Sequence, residues 1–124
     1  NAASYAIIDK DNQSAEVILS FIKNELIIRL RDVMLDALGI VRNGASIEAA
    51  LKEVGILLRN DGFNRKEKDR LWFAKAILES AYFRKESRGA HFRSDFPESD
   101  DKYLGMTVAR FNGDISISLR KTEE

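Results

Sequence analysis

The chain has 124 residues, with 20 Lys and Arg set against 20 Asp and Glu, one His, one Pro and no Cys. That length suits one domain with its own core, and the even charge excludes a global field for nucleic acid or an anionic membrane. The missing Cys excludes a disulfide framework, a thiolate nucleophile and Cys-based zinc or iron–sulfur sites, and agrees with a reducing compartment.

Apolar content of 44% and charged content of 32% describe a globular chain, not a disordered tail. No run of about 18 apolar residues exists, so no direct membrane insertion is expected. Asn1-Ala2-Ala3-Ser4 lacks the basic region and apolar core of a signal peptide. Asn1-Ala2, without an initiator Met, is compatible with an expression-tag scar on an excised fragment. Residues 1–13 read as a lead-in, with the short apolar patch Tyr5-Ala6-Ile7-Ile8 before a turn-like polar stretch.

Residues 14–89 read as a three-helix bundle. From Ser14 to Leu38, Leu19, Ile22, Leu26, Leu30, Val33, Met34 and Ala37 recur at helical steps and stack on one face. Val17, Phe21, Ile28 and Leu35 form a second stripe, so the sequence predicts burial against two neighbours. Gly39 is expected to end the helix in the left-handed conformation, with Ile40 folding back onto Leu35. Ser46 is the expected N-cap of a second helix whose apolar face is Ile47, Ala50, Leu51, Val54, Leu57 and Leu58. Asn60-Asp61-Gly62 closes it. Asn64 with Glu67 has the spacing of a capping box opening a third helix. Its inner stripe is Leu71, Ala74, Leu78, Ala81 and Tyr82, and it is expected to end near Arg88 with Gly89 as the stop. Short loops favour an up-down-up arrangement.

Residues 90–105 form an irregular polar loop, with Pro97 disfavouring helix at Phe96. Residues 106–121 read as a β-hairpin about Asn112-Gly113. A two-residue loop pairs Phe111 with Asp114, Val108 with Ile117 and Met106 with Leu119, which puts the apolar pairs on one face with Ile115. Such a ribbon needs a covering surface. The fold class is mainly α: a three-helix up-down-up bundle, a polar loop and a C-terminal β-hairpin.

The densest chemistry lies in Glu86 to Asp101, which holds the only His and the only Pro. There is no G-x-G-x-x-G after a strand, no P-loop and no nucleophile elbow. His91 with Asp95 offers an acid/base pair; the plainer reading is that His91 hydrogen-bonds a helix end or a neighbouring loop. A metal set of His91, Asp95, Asp100 and Asp101 matches neither zinc nor calcium spacing. Arg84, Lys85, Arg88 and Arg93 among Tyr82, Phe83 and Phe92 offer an anion or nucleic-acid patch. The acids Asp95, Glu98, Asp100 and Asp101 cancel it locally, and cations at a helix end complement its dipole. Guanidinium forks from Arg88 and Arg93 suit carboxylates on another surface.

The stretch Glu86-Ser87-Arg88-Gly89-Ala90-His91-Phe92-Arg93-Ser94-Asp95-Phe96-Pro97, with Asp100-Asp101 after it, resembles a signature of one flavoprotein family. That family holds the flavoprotein subunits of succinate dehydrogenase and fumarate reductase, with L-aspartate oxidase. Leu38-Gly39-Ile40-Val41-Arg42-Asn43 is similar to the family's connector after the first helix of the same domain, and the resemblance covers roughly residues 30–111. It implies a carboxyl-terminal bundle of spectrin-repeat-like topology beside the FAD-binding and capping domains of one parent chain. It also implies FAD in that parent and none in this fragment, with no catalytic, cofactor-binding or metal residue here and no activity for the fragment alone. An iron–sulfur subunit is a further implied partner, nucleic acid is not, and the implied location is cytoplasmic, at the inner face of the membrane through partner subunits. Asp100-Asp101 and Tyr103-Leu104 lean toward the succinate/fumarate branch. The alternatives are the same domain of L-aspartate oxidase, or a free-standing protein-interaction module. The expected interdomain docking residues are Glu86, Arg88, His91, Arg93 and Asp95, substantially exposed in the isolated domain on a loop more mobile than the helices.

Overall fold

The computed structural model describes residues 12–122, so all but the end of the lead-in expected over residues 1–13 lies outside the described residues. Helices α1 (Asn12–Ala37), α2 (Gly44–Leu58) and α3 (Arg65–Phe83) are followed by a 3-10 turn (Asp101–Tyr103) and by strands β1 (Gly105–Phe111) and β2 (Ile115–Lys121). The three helices form the bundle the periodicity predicts, and the two strands form an antiparallel hairpin.

The core is the meeting of the inner stripes. Ala37, Ile47, Ala50, Val54, Ala74, Leu78 and Ala81 are buried together, with Leu30, Val33, Met34 and Leu51 packed against them. A smaller cluster of Leu57, Phe63 and Leu71 closes the other end against Leu26, Leu30 and Leu58. Alanines stand at four of the seven central positions, where small side chains permit close approach of the helices. The Asn64–Glu67 capping box is present in both directions, each bond 2.9 Å.

Several local features differ from the sequence expectation. The second stripe of α1 is uncovered: Val17, Phe21, Ile28 and Leu35 are all exposed, Leu35 by 72%. Leu19 and Ile22 of the inner stripe are also exposed, because the amino-terminal half of α1 runs past the ends of its neighbours' apolar faces. Gly39 has no positive φ and Ile40 is 90% exposed, so the fold-back onto Leu35 does not form. The Gly39 carbonyl instead accepts from Arg42 Nε at 3.3 Å. Asn43, not Ser46, caps α2: its side chain accepts the Ser46 N–H at 2.9 Å.

Helix α3 stops at Phe83, five residues before the expected end at Arg88, because Arg84 takes an extended backbone (φ −81°, ψ 96°). Gly89 is left-handed (φ +58°), but it serves a tight turn between Arg88 and His91, whose backbones exchange bonds of 2.8 and 3.0 Å. The left-handed glycine is real, and its element is a turn rather than a helix terminus.

The hairpin register is shifted by one residue. Phe111 pairs with Ile115, Ala109 with Ile117 and Thr107 with Leu119 around the three-residue loop Asn112-Gly113-Asp114. Asp114 leaves the ladder because its carboxylate takes the Ile115 N–H and the Lys75 ammonium, each at 2.7 Å, while Gly113 supplies the turn at φ +78°. A one-residue slip exchanges the faces of β1. Ile115, Ile117 and Leu119 keep their common face, but Met106 and Val108 point the other way. The ribbon packs on α3, with Trp72 edge-on to Phe111 at 4.9 Å between ring centroids.

Candidate functional site

The polar segment begins where α3 ends. Arg84 turns its guanidinium across the start of the hairpin: Nε donates to Thr107 Oγ1 (2.7 Å), Nη1 to the Tyr103 carbonyl (3.0 Å) and Nη2 to the Gly105 carbonyl (2.6 Å). Nη1 also meets Glu86 Oε2 at 2.5 Å. This one side chain ties the helix end, the segment and β1 together. Its role was not legible in the sequence, where it read as a cation complementing the helix dipole.

Glu86 is fully buried, at 0% exposure. Its carboxylate receives Arg84, Arg88 Nε at 3.2 Å on each oxygen, and the Asp100 N–H at 2.9 Å. Desolvation pushes the Glu86 pKa up, but the bonds from Arg88, the Asp100 amide and Arg84 outweigh it and hold the group below its ordinary value. The bond to Glu86 in turn raises Arg88. A buried charge is tolerable only when paired and hydrogen-bonded, and here both conditions hold.

Arg93 is the other buried ion, at 1% exposure. It forks onto Asp95, Nη2 to Oδ2 at 2.7 Å and Nε to Oδ1 at 3.1 Å. Its Nη1 serves the Tyr82 and Arg84 carbonyls at 2.9 and 3.2 Å, acceptors left at the end of α3. The guanidinium lies between the rings of Phe96 and Tyr82, 4.9 and 5.6 Å from their centroids. Asp95 Oδ2 also takes the Gly44 N–H at 2.9 Å, placing a carboxylate on the amino terminus of α2. The Arg93 bond, aided by Gly44, depresses Asp95. The segment thus joins the end of α3 to the start of α2, and Gly44 is the close approach that permits it. A Cβ there would lie 2.7 Å from Arg93 Nη2 and 2.9 Å from Asp95 Oδ2.

His91 bridges two elements. Nε2 lies 3.1 Å from the Arg84 carbonyl and Nδ1 lies 3.1 Å from Arg42 Nη1. The partners assign the proton: Nε2–H donates to the carbonyl, and the bare Nδ1 accepts from arginine. Burial lowers the His91 pKa first, the Arg84 carbonyl opposes, and Arg42, Arg93 and Arg84 lower it further. The ring is held neutral.

The acid/base pair is therefore not assembled: His91 binds a helix end and the connector, and Asp95 binds Arg93 and Gly44. Exposure of the whole set is overturned for Glu86 and Arg93, whereas Arg88 keeps 37% and Asp95 36% side-chain exposure. Among the described residues no three His, Asp or Glu side chains converge as metal ligands. Three of the four basic residues suggested for an anion patch, Arg84, Arg88 and Arg93, are paired to carboxylates of the same segment. No helix among the described residues is long and apolar enough to cross a membrane. Arg42 was missed as a partner of this segment; the one sequence signal for it was its place in the connector stretch.

The described residues do not fit a flavin dinucleotide. Both strands belong to an antiparallel hairpin, so no strand leads through a glycine turn to a helix amino terminus where a pyrophosphate is received. The amino terminus of α2 is filled by Asp95.

The family model for the fumarate reductase flavoprotein C-terminal region matches residues 65–123, which contain α3, the whole polar segment and the hairpin. The chain belongs to this flavoprotein C-terminal-domain family. It is 38% identical over 96 residues to a Methanocaldococcus jannaschii protein named as an uncharacterised FAD-dependent oxidoreductase, covering 68% of this chain and 18% of that one. It is 35% identical over 98 residues to the fumarate reductase flavoprotein subunit of Helicobacter pylori J99, covering 65% of this chain and 14% of that subunit. It is 36% identical over 85 residues to the L-aspartate oxidase of Rhodospirillum rubrum, covering 68% of this chain and 30% of that enzyme. The chain thus spans less than a third of the length of each of these relatives. In this C-terminal domain the signature residues Glu86, Arg88, His91, Arg93 and Asp95 form one internally bonded cluster.

Proposed function

We propose that this chain is the carboxyl-terminal helical domain of a larger FAD-dependent oxidoreductase of succinate/fumarate type, and that it packs against the flavin-binding and capping domains of its parent. The domain does no chemistry by itself; it supplies a pre-shaped surface. The observation that supports this best is the uncovered stripe of α1: Val17, Phe21, Ile28 and Leu35 are 67%, 64%, 51% and 72% exposed, and Ile40 and Val41 extend it. Apolar side chains in such number on one side mark an interaction surface. The polar segment contributes beside it through Arg88 and Asp95, which keep exposed faces. Glu86 and Arg93 act from beneath, fixing where Arg88 and Asp95 point.

The test is Phe21→Ser with Leu35→Ser in the full-length protein and in the 124-residue chain. The full-length variant loses FAD retention and turnover, while the short chain melts as before. Unchanged flavin content and turnover would overturn the proposal. A free-standing interaction module would expose the same stripe. A dinucleotide fingerprint in the coding sequence upstream supports the flavoprotein domain, and a start codon close to Ala3 supports the module.

A further inference from the structure

A shallow groove of about 410 Å³ runs between α3 and β1. Phe73, Ile77 and Ala81 of the helix form one wall, Thr107 and Ala109 of the strand form the other, and Arg42 with His91 closes one end. No carboxylate lines it. Phe73 and Ile77 are 69% and 38% exposed, so the wall is apolar and accessible.

The donors around it are not equivalent. Arg84 is committed to Glu86, Thr107 and two carbonyls. Both ring nitrogens of His91 are committed as well. Arg42 differs: among the described residues it bonds the Gly39 carbonyl and a neutral imidazole, and no carboxylate lies within ion-pair distance. A half-buried guanidinium with only neutral partners, at the end of an apolar trough, is electrostatically complementary to one carboxylate. Thr107 Oγ1 accepts from Arg84, which leaves its own proton to donate into the groove. The trough is open along its length, which suits an extended chain better than an enclosed small molecule.

We propose that this groove binds an extended peptide segment carrying one acidic side chain between apolar ones. The carboxylate pairs with Arg42, and the apolar side chains seat on Phe73 and Ile77. The site does not depend on the flavoprotein parentage.

The experiment is an NMR titration of the 124-residue protein with acetyl-Leu-Asp-Leu-amide, with its Asn counterpart, and with acetate at matched millimolar concentrations. The Asp peptide should give saturable shifts at the amides of Ile77, His91, Thr107 and Ala109. Its affinity should exceed that of the Asn peptide by roughly threefold to fivefold, as for a solvent-accessible ion pair. Arg42→Gln should erase the difference, and Arg42→Lys, which keeps the charge, should restore most of it. Equal affinities, shifts centred on α1, no saturable shift, or acetate binding as tightly as the Asp peptide would each overturn the proposal.

Discussion

Arg93 lies planar against Asp95, two nitrogens to two oxygens at 2.7 and 3.1 Å, and the same carboxylate receives the first amide of α2 at 2.9 Å. Three elements meet in that pair: the end of α3, the polar segment that follows it, and the start of α2, 51 residues before Asp95. The pair works as a clamp, and its geometry leaves no room for a larger residue at Gly44.

Gly44→Ala should therefore destabilise the domain, although Ala is the better helix former. The added Cβ forces Arg93 or Asp95 out of place, at a cost of about 1–3 kcal/mol for overpacking a tight site. Thermal melting of the variant checks this; an unchanged or higher Tm would show that the clamp yields freely.

Arg93→Lys keeps the charge and should still lose about 2 kcal/mol, because one ammonium cannot fork onto Asp95 and also serve the Tyr82 and Arg84 carbonyls. Urea denaturation should show a lower midpoint with an unchanged slope.

Glu86→Ala should be the most damaging change in the segment. It leaves Arg84, only 15% exposed, without its carboxylate, and removes the acceptor of the Asp100 amide. Breaking a buried pair in this way costs about 3–5 kcal/mol. Circular dichroism melting of the isolated chain measures it directly.

Acid should weaken the domain in two stages. His91, Glu86 and Asp95 all have folded values below their ordinary ones, so each binds protons more readily when unfolded. Each therefore adds stability that is present above its unfolded value and is lost as pH falls through the folded value. Loss should begin below pH 6.5 with His91, as Nδ1 gains a proton facing Arg42, and continue below 4.5 and 3.8 with the two carboxylates. Tm measured against pH should fall in that order, and His91→Gln should flatten the first limb. A Tm that rises as pH drops below 6.5 would contradict the assignment.

Local periodicity and one local cap, the Asn64–Glu67 box, were legible in the sequence. The inner stripes of α2 and α3 and the Asn64–Glu67 box depend on residues within a few positions of one another. Apart from the caps at Gly39 and Asn43, what escaped depends on distant partners. The early end of α3 follows from Arg84 reaching Tyr103, Gly105 and Thr107. The hairpin slip follows from Asp114 meeting Lys75, 39 residues away. Periodicity marks the outer stripe of α1 as apolar without saying whether a neighbour covers it. The burial of Glu86 and Arg93 runs against the usual exposure of charged residues, and it is tolerable only because Glu86 pairs with Arg84 and Arg88 and Arg93 pairs with Asp95. The expectation of exposure thus fails for Glu86 and Arg93, whereas Arg88 and Asp95 keep exposed faces.

The polar segment is an internal clamp on the three-helix bundle. Amide hydrogen exchange of the 124-residue protein tests it most directly. The bonded amides of Arg42, Arg88, His91 and Ser94 should exchange as slowly as those of the buried turns of α2 and α3, reporting one cooperative unit. Fast exchange at those four amides, with protected helices, would mean a segment that opens independently, and would contradict the clamp.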